Sequence, residues 1–151
     1  MNAPRTYPKR PIVGIGIVVL REDTVLLVRR AHPPAAGAWS LPGGAQKLGE
    51  TAIAAARREL FEETGLEVGK LVLAGNVDSI HRDAEGRILY HYTILDFAAC
   101  WRTGEPCPGS DVSAAAWVAA ADFDRFALWD EARRIIAAAR AALTGEGAHL
   151  I

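Results

Sequence analysis

The chain has 151 residues, of which half are hydrophobic and 23% are charged, and its formal net charge is −1. This length suits one domain that buries a substantial hydrophobic core. A charge so close to zero lacks the basic footprint that binding to long nucleic acid requires. We therefore expect a globular domain that does not bind long nucleic acid.

The cysteine content and the hydropathy predict the compartment. Two cysteines, Cys100 and Cys107, make neither a disulfide framework nor a zinc site, so both are expected to be free thiols. The apolar run 12–20 is too short to span a bilayer, and the N-terminus has no apolar signal core. These features predict a cytoplasmic protein without membrane contact.

In chain order, three regions are predicted. Residues 1–10 are polar and contain prolines, which is typical of a flexible N-terminal arm. A single domain is expected at 11–144, followed by a C-terminal tail at 145–151. The domain opens with two aliphatic runs, 12–20 and 24–29, that flank a polar triplet, and this pattern predicts a β-hairpin.

Further strands are predicted from runs of β-branched and aromatic residues. They cover 39–41, 71–81, 87–101 and 114–119. The run 129–143 repeats apolar residues at helical spacing and is predicted to be a helix. Inside the long third strand of this set, Asp96 is unusual among apolar and aromatic neighbours, and we expect it to make a structural hydrogen bond.

The most informative stretch is a glycine turn followed by a helix crowded with glutamates. Residues 51–64 contain no Gly or Pro and are rich in Ala, Arg, Glu and Leu, which predicts a helix. Gly65 suits the left-handed cap that ends many helices. At about 100° per residue the helix has one mostly apolar face. That face is predicted to contain Ile53, Ala56, Arg57, Leu60 and Thr64.

The glutamates of this helix predict a site for a cation. Glu59 and Glu63 are four residues apart and stack on one face, and Glu62 lies four residues after Arg58, with which it can pair. Such oxygen-rich clusters suit hard divalent cations such as Mg²⁺. The alternative is a solvated, charged surface helix. The Leu-Pro-Gly-Gly loop at 41–44 argues against it, because that loop brings flexible backbone and a free carbonyl up to the helix.

The spacing of these residues resembles the signature of the Nudix hydrolases: G, five free, E, seven free, R-E-aliphatic, one free, E-E, one free, G-aliphatic. The matching positions are Gly44, Glu50, Arg58, Glu59, Leu60, Glu62, Glu63, Gly65 and Leu66. The lead-in at 39–44 and the strand near Trp117 are also similar, so the resemblance covers about residues 10–143. It implies an α/β (α+β) class and the Nudix fold, a mixed β-sheet sandwiched between helices with the signature as loop-helix-loop.

The resemblance also implies roles for single residues around a bound Mg²⁺ or Mn²⁺. Glu59 and Glu63 would be the central metal ligands, joined by Glu62 and by the carbonyl of Gly44. In catalysis, Glu62 would be a further ligand or base beside Glu63, and Arg58 would orient the glutamates. Two residues would support the site. They are Glu50, through electrostatics, and Gly65, through its cap.

Outside the signature the candidates are weaker. A Gly/Pro loop at 103–113 carries Glu105 and Asp111, either of which can supply a base or a metal oxygen, or can be a solvated loop carboxylate. Arg29 and Arg30 either hold phosphate or end a strand in solvent. Tyr92 either binds the substrate's base or belongs to the core.

Residues 86–92 resemble the members of the family that act as ADP-ribose pyrophosphatases. The expected function is therefore Mg²⁺-dependent hydrolysis of the pyrophosphate bond in a nucleoside diphosphate linked to another moiety, with ADP-ribose or a related nucleotide sugar as substrate. One alternative is a (deoxy)nucleoside triphosphate pyrophosphohydrolase that clears modified nucleotides. A second is a non-catalytic domain that senses a nucleotide. The expected partner is a small-molecule nucleotide, and a homodimer is compatible with the resemblance.

Overall fold

The computed structural model describes residues 5–32 and 35–144 of the chain. Two α-helices lie in these residues, α1 (Ala52–Thr64) and α2 (Asp130–Leu143), and a 3₁₀ turn covers Ala120–Phe126. Seven strands lie in the same residues: β1 (Ile12–Arg21), β2 (Thr24–Arg30), β3 (Trp39–Ser40), β4 (Gly43–Ala45), β5 (Val72–Arg82), β6 (Ile88–Cys100) and β7 (Val112–Ala119).

The strands form one mixed sheet. Its main order is β3-β2-β1-β6-β5, with β4 paired to β1 and β7 paired to β2. The β1–β6 pair is parallel, from Ile12 opposite Tyr92 to Leu20 opposite Cys100, and the other pairs are antiparallel. The predicted hairpin between β1 and β2 is confirmed. A mixed sheet with helices also confirms the predicted fold class.

The two helices cover opposite faces of the sheet. Because side chains alternate along a strand, even-numbered β1 residues such as Val18 face one side and odd-numbered ones such as Ile17 face the other. Val18 belongs to the core cluster that contains Ile135 of α2, and Ile17 belongs to the cluster that contains Leu60 of α1. We refer below to the α1 face and the α2 face.

Local sequence explains where α1 begins and ends. The Thr51 hydroxyl accepts a hydrogen bond from the Ala54 amide, which caps the first turn. Gly65 adopts the left-handed conformation at φ 73° and donates its amide to the Phe61 carbonyl. The predicted helix and its glycine cap are thus both present.

Two residues of the predicted apolar face of α1 are exposed. Ile53 is 44% exposed, and Arg57 is also exposed and donates to the carbonyls of Val68 and Gly69 beyond the helix. Ala55, which the prediction left out, is fully buried. The small alanines at 55 and 56 let the helix lie close to the sheet, and the larger Ile53 is turned outward.

The chain before β1 contacts the domain. The Tyr7 hydroxyl donates to Asp83 at 2.8 Å, and the Tyr7 amide donates to the Leu89 carbonyl at 2.9 Å. Residues 1–4 of the predicted arm and the predicted tail at 145–151 lie outside the described residues. The division into arm, domain and tail stays a prediction.

Candidate active site

The glycine segment before α1 forms a short strand, whereas the sequence predicted a glycine turn. β4 pairs with β1 through Gly43 opposite Gly16 and Gly44 opposite Ile15. A Cβ atom at position 43 would overlap the Ile15 carbonyl, and one at position 44 would overlap the Glu59 carboxylate. Glycine is therefore required at position 43, where the neighbour is backbone, and at position 44 its lack of a side chain leaves the space that the Glu59 carboxylate occupies.

Glu59 and Glu63 meet on the side of α1 that faces this strand. The Glu63 carboxylate accepts a hydrogen bond from the Gly43 amide at 2.8 Å. The Glu59 carboxylate lies against Gly44, and its side chain is only 15% exposed. Burial, together with the neighbouring Glu59 carboxylate, raises the pKa of Glu63 to about 8, although the Gly43 amide opposes the shift. Two carboxylates held this close in a half-buried place favour a cation or a proton between them.

Arg58 connects the glutamates of the signature. Its guanidinium donates to Glu50 at 2.7 and 3.0 Å, to Glu59 at 2.8 Å and to Glu62 at 3.2 Å. It also donates to the Ala45 carbonyl at 3.1 Å, which ties the helix to β4. The hydrogen bonds from Arg58, followed by one from the Lys47 amide, lower the pKa of Glu50 to about 2. Arg58 thus fixes where the acidic side chains lie.

Glu62 is not brought together with the other two helix glutamates. Its side chain is 52% exposed and is paired with Arg58, as the spacing of four predicts. Residues 5–32 and 35–144 contain no group of three or more His, Cys, Asp or Glu side chains arranged around one point. The role of Glu62 as a metal ligand stays a prediction.

The groups that do converge suit a hard divalent cation. Glu59 and Glu63 supply carboxylate oxygens, and the backbone of Gly44 lies in contact with Glu59. Mg²⁺ accepts such a set because it is bound through one or two carboxylates and keeps several waters. The carbonyl of Gly44 as a further ligand stays a prediction.

The loop before β7 contacts the C-terminal end of α1, and its two predicted acids have different neighbours. The Gly109 amide donates to the Glu63 carbonyl at 2.9 Å, and the Ala31 amide donates to the Asp111 carbonyl at 3.1 Å. The backbone of Asp111 therefore lies beside Ala31, which follows β2. Glu105 pairs instead with Arg21 at 3.0 Å.

The predicted substrate-binding residues are also separated. The positive charge of Arg30 acts on Glu63, so this residue lies near the helix glutamates. Arg29 donates to the Ser113 hydroxyl at 2.8 Å and lies 5.8 Å from the ring of Trp39. Tyr92 lies beside Gly14 on the α2 face, and Glu63 belongs to the helix on the α1 face.

Asp96 is a buried acid that the sequence singled out. It is 3% exposed, and the structural hydrogen bond expected for it stays a prediction. Burial raises the pKa of Asp96 to about 6, and the charge of Arg134 only partly opposes this. The signal that was available in the sequence is a carboxylate inside an otherwise apolar strand.

Comparison with known proteins identifies the family. The NUDIX domain matches residues 10–139, which is most of the chain, and the chain belongs to this family. Nudix hydrolases generally use divalent metal ions, which agrees with the oxygen donors of Glu59 and Glu63.

The individual relatives are named for different substrates. The chain is 36% identical over 86 residues to an ADP-ribose pyrophosphatase of Methanocaldococcus jannaschii, covering 57% of this chain and 51% of that protein. It is 51% identical over 67 residues to a putative 8-oxo-dGTP diphosphatase 2 of Mycobacterium tuberculosis, covering 44% of this chain and 47% of that protein. The chain thus spans about half the length of these curated relatives.

A solved structure supports the same family. The NUDIX domain of NrtR from Shewanella oneidensis, complexed with ADP-ribose, matches with a TM-score of 0.73 and 25% identity, covering 90% of each chain.

Two further predictions can be compared with the structure. Cys100 and Cys107 are exposed free thiols, as expected. Neither helix in the described part of the chain has the length and apolar character that crossing a membrane requires.

Proposed function

We propose that the protein is a Mg²⁺- or Mn²⁺-dependent hydrolase that cleaves the pyrophosphate bond of a nucleoside diphosphate linked to another moiety. The observation that carries this proposal is the pair of carboxylates, Glu59 and Glu63, held against the glycines of β4. A structural surface helix would not need two half-buried acids at this place. A bound divalent cation supplies charge stabilisation for the pyrophosphate and lowers the pKa of an attacking water.

The chain's own residues position and balance the charges. Arg58 holds Glu59 at 2.8 Å and Glu62 at 3.2 Å, and its contacts with Glu50 prevent the guanidinium from turning away. The Gly43 amide fixes the Glu63 carboxylate. Arg30, on the same side, adds positive charge where phosphate oxygens would bind. Asp111, at the end of the neighbouring loop, is the residue that we propose as proton acceptor.

ADP-ribose, or a related nucleotide sugar, is the substrate that we favour. The sequence of residues 86–92 supports it. A relative named ADP-ribose pyrophosphatase and a structural neighbour complexed with ADP-ribose support it further. A nucleoside triphosphate is the second candidate, because a relative that is 51% identical over 67 residues is named a putative 8-oxo-dGTP diphosphatase 2.

A panel of substrates tests these alternatives. We expect ADP-ribose to give AMP and ribose 5-phosphate, with a kcat/KM at least about tenfold above that for any nucleoside triphosphate, 8-oxo-dGTP included. The opposite preference, with inorganic pyrophosphate as product, would assign the second candidate. Binding without turnover of any nucleotide in the presence of Mg²⁺ would identify a sensing domain instead. A homodimer and a cytoplasmic location stay predictions.

A further inference from the structure

The carbonyl end of α1 is covered by the loop between β6 and β7. A helix leaves its last four carbonyls without partners inside the helix, and the Gly65 amide satisfies one of them here. The loop supplies donors to two others. The Gly109 amide donates to the Glu63 carbonyl at 2.9 Å, and the Cys107 amide donates to the Thr64 carbonyl at 2.8 Å. The loop therefore caps the helical turn that carries Glu63.

Gly109 lies directly against the backbone of this turn. A Cβ atom at position 109 would overlap the Glu62 carbonyl oxygen and would lie 3.5 Å from the Cα atom of Glu63. The obstacle is helix backbone, which cannot turn aside as a flexible side chain does. Gly109 does not have a left-handed φ, so glycine is needed here for the close approach and not for the backbone conformation. The missing side chain lets the loop come near enough to bond to Glu63.

Glu63 is thus held at both of its ends. Its carboxylate accepts a hydrogen bond from the Gly43 amide of β4 at 2.8 Å, and its main-chain carbonyl accepts one from the Gly109 amide at 2.9 Å. The neighbouring Glu59 carboxylate repels that of Glu63 when both are charged. A main chain fixed at position 63 opposes this repulsion and keeps the two acids close enough to share one cation.

The beginning of the loop is attached separately. Arg21 of β1 pairs with Glu105 at 3.0 Å, and its guanidinium lies 4.2 Å from the centroid of the Trp101 ring. The indole Nε1 of Trp101 donates to the Gly104 carbonyl at 2.7 Å. These contacts join the beginning of the loop to the end of β1, and none of them involves α1. The loop therefore keeps an anchor when its contact at Gly109 is weakened.

We propose that Gly109 is a positioning residue that sets the affinity for the divalent cation by holding the main chain of Glu63. The inference rests on the proposed function and adds to it the part that the loop before β7 has in cation binding. Partners that orient a metal ligand without touching the metal typically change metal affinity by roughly 10–100-fold when they are altered. The role of Gly109 is distinct from that of Asp111, whose side chain is proposed to accept a proton.

Binding of Mn²⁺ tests the proposal independently of turnover. We would measure the Mn²⁺ dissociation constant by electron paramagnetic resonance in the wild type, Gly109→Ala and Gly69→Ala. Gly69→Ala is the matched control, because the atoms nearest to its Cβ belong to the flexible Arg102 side chain, which can move aside. We expect the dissociation constant to rise about tenfold or more in Gly109→Ala and to stay within about twofold in the control. Turnover of Gly109→Ala should be low at limiting Mn²⁺ and should recover towards the wild type at saturating Mn²⁺.

An unchanged Mn²⁺ dissociation constant in a folded Gly109→Ala would overturn the proposal. So would a loss of kcat that saturating Mn²⁺ does not restore, since this would indicate a general structural defect. A wild type that binds Mn²⁺ and hydrolyses no nucleotide refutes the proposed function, whereas weaker Mn²⁺ binding in Gly109→Ala still supports the role of Gly109. A wild type that hydrolyses nucleotides and matches Gly109→Ala in Mn²⁺ affinity refutes the role of Gly109 alone.

Hydrogen exchange in the wild type gives a second test if Gly109→Ala does not fold. A loop that favours the cation-binding arrangement of Glu63 must in turn be stabilised when the cation binds. Saturating Mg²⁺ should therefore slow exchange of the Gly109 amide by about fivefold or more. The reference is the Gly86 amide, which donates to the Asp83 carbonyl at 3.0 Å in the turn between β5 and β6. An equal effect of Mg²⁺ on both amides would refute the proposal.

Discussion

Arg58 donates two hydrogen bonds to Glu50, at 2.7 and 3.0 Å, and this pair joins the beginning of the helix to the carboxylates at its middle. From the same guanidinium the contacts extend to Glu59 and Glu62. Glu50 is therefore placed to act through Arg58, and Glu59 and Glu63 are placed to act on the ligand. The two groups of residues should respond differently to substitution.

Glu59→Gln and Glu63→Gln should each remove most of the turnover, by at least about 100-fold in kcat, and leave the fold intact. A neutral amide of the same shape removes an anionic ligand that a divalent cation needs. The measurement is kcat at saturating Mg²⁺, with circular dichroism for the fold. The exposed Glu67, four residues after Glu63, provides the control variant Glu67→Gln. Near-wild-type kcat in either active-site variant would refute the metal-site proposal.

Glu50→Gln should lower the midpoint of thermal unfolding modestly and reduce kcat less than Glu63→Gln does. Because hydrogen bonds from Arg58 lower the pKa of Glu50 to about 2, its contribution is complete above about pH 4.5 and is lost as the pH falls towards 2. Unfolding midpoints of the wild type and the variant, measured from pH 7 to pH 2, should converge at the acid end. A large loss of kcat without any change in stability would instead make Glu50 a direct ligand.

Asp111→Ala should reduce kcat by about 10²–10⁴-fold, the usual loss when a general base is removed. Glu105→Ala is its matched control from the same loop, because Glu105 pairs with Arg21. We expect this second variant to keep its kcat. The two rate constants, measured at one saturating concentration of ADP-ribose and Mg²⁺, show whether Asp111 is the general base. Ordinary kcat in both variants would exclude the loop as the source of the base.

Features that depend on neighbouring residues could be predicted from the sequence. The helix α1, its Gly65 cap and the pairing of Arg58 with Glu62 follow from propensity and spacing within one segment. The apolar face of the same helix does not coincide with its buried face. Ile53 is exposed and Ala55 is buried, because the close approach of the sheet, and not hydrophobicity alone, selects the small residue.

Features made by distant segments could not be predicted. β4 contains two glycines and only three residues, so it has no side-chain pattern, and it exists because it pairs with β1 some thirty positions earlier. The surroundings of Asp96 depend on Gly16, eighty residues away in the chain. The pairing of Glu105 with Arg21 joins residues 84 positions apart. Each of these features is made by a contact between residues that are far apart in the sequence.

The last prediction concerns the dependence of stability on pH. Burial raises the pKa of Asp96 from 3.8 to about 6, so the folded chain holds this proton more tightly than the unfolded chain. Protonated Asp96 therefore stabilises the fold fully below about pH 4, and this contribution is lost as the pH rises through about 6. A difference of about two pKa units corresponds to roughly 3 kcal/mol at most. Asp96→Asn has no proton to lose, so the free energy of unfolding of the wild type should fall relative to that of the variant between pH 4 and pH 7. Urea unfolding at both pH values measures this difference. The control variant is Asp78→Asn, which changes an exposed carboxylate of β5 and is expected to follow the wild type. Parallel curves for the wild type and Asp96→Asn would show that the Asp96 carboxylate has an ordinary pKa and is not desolvated.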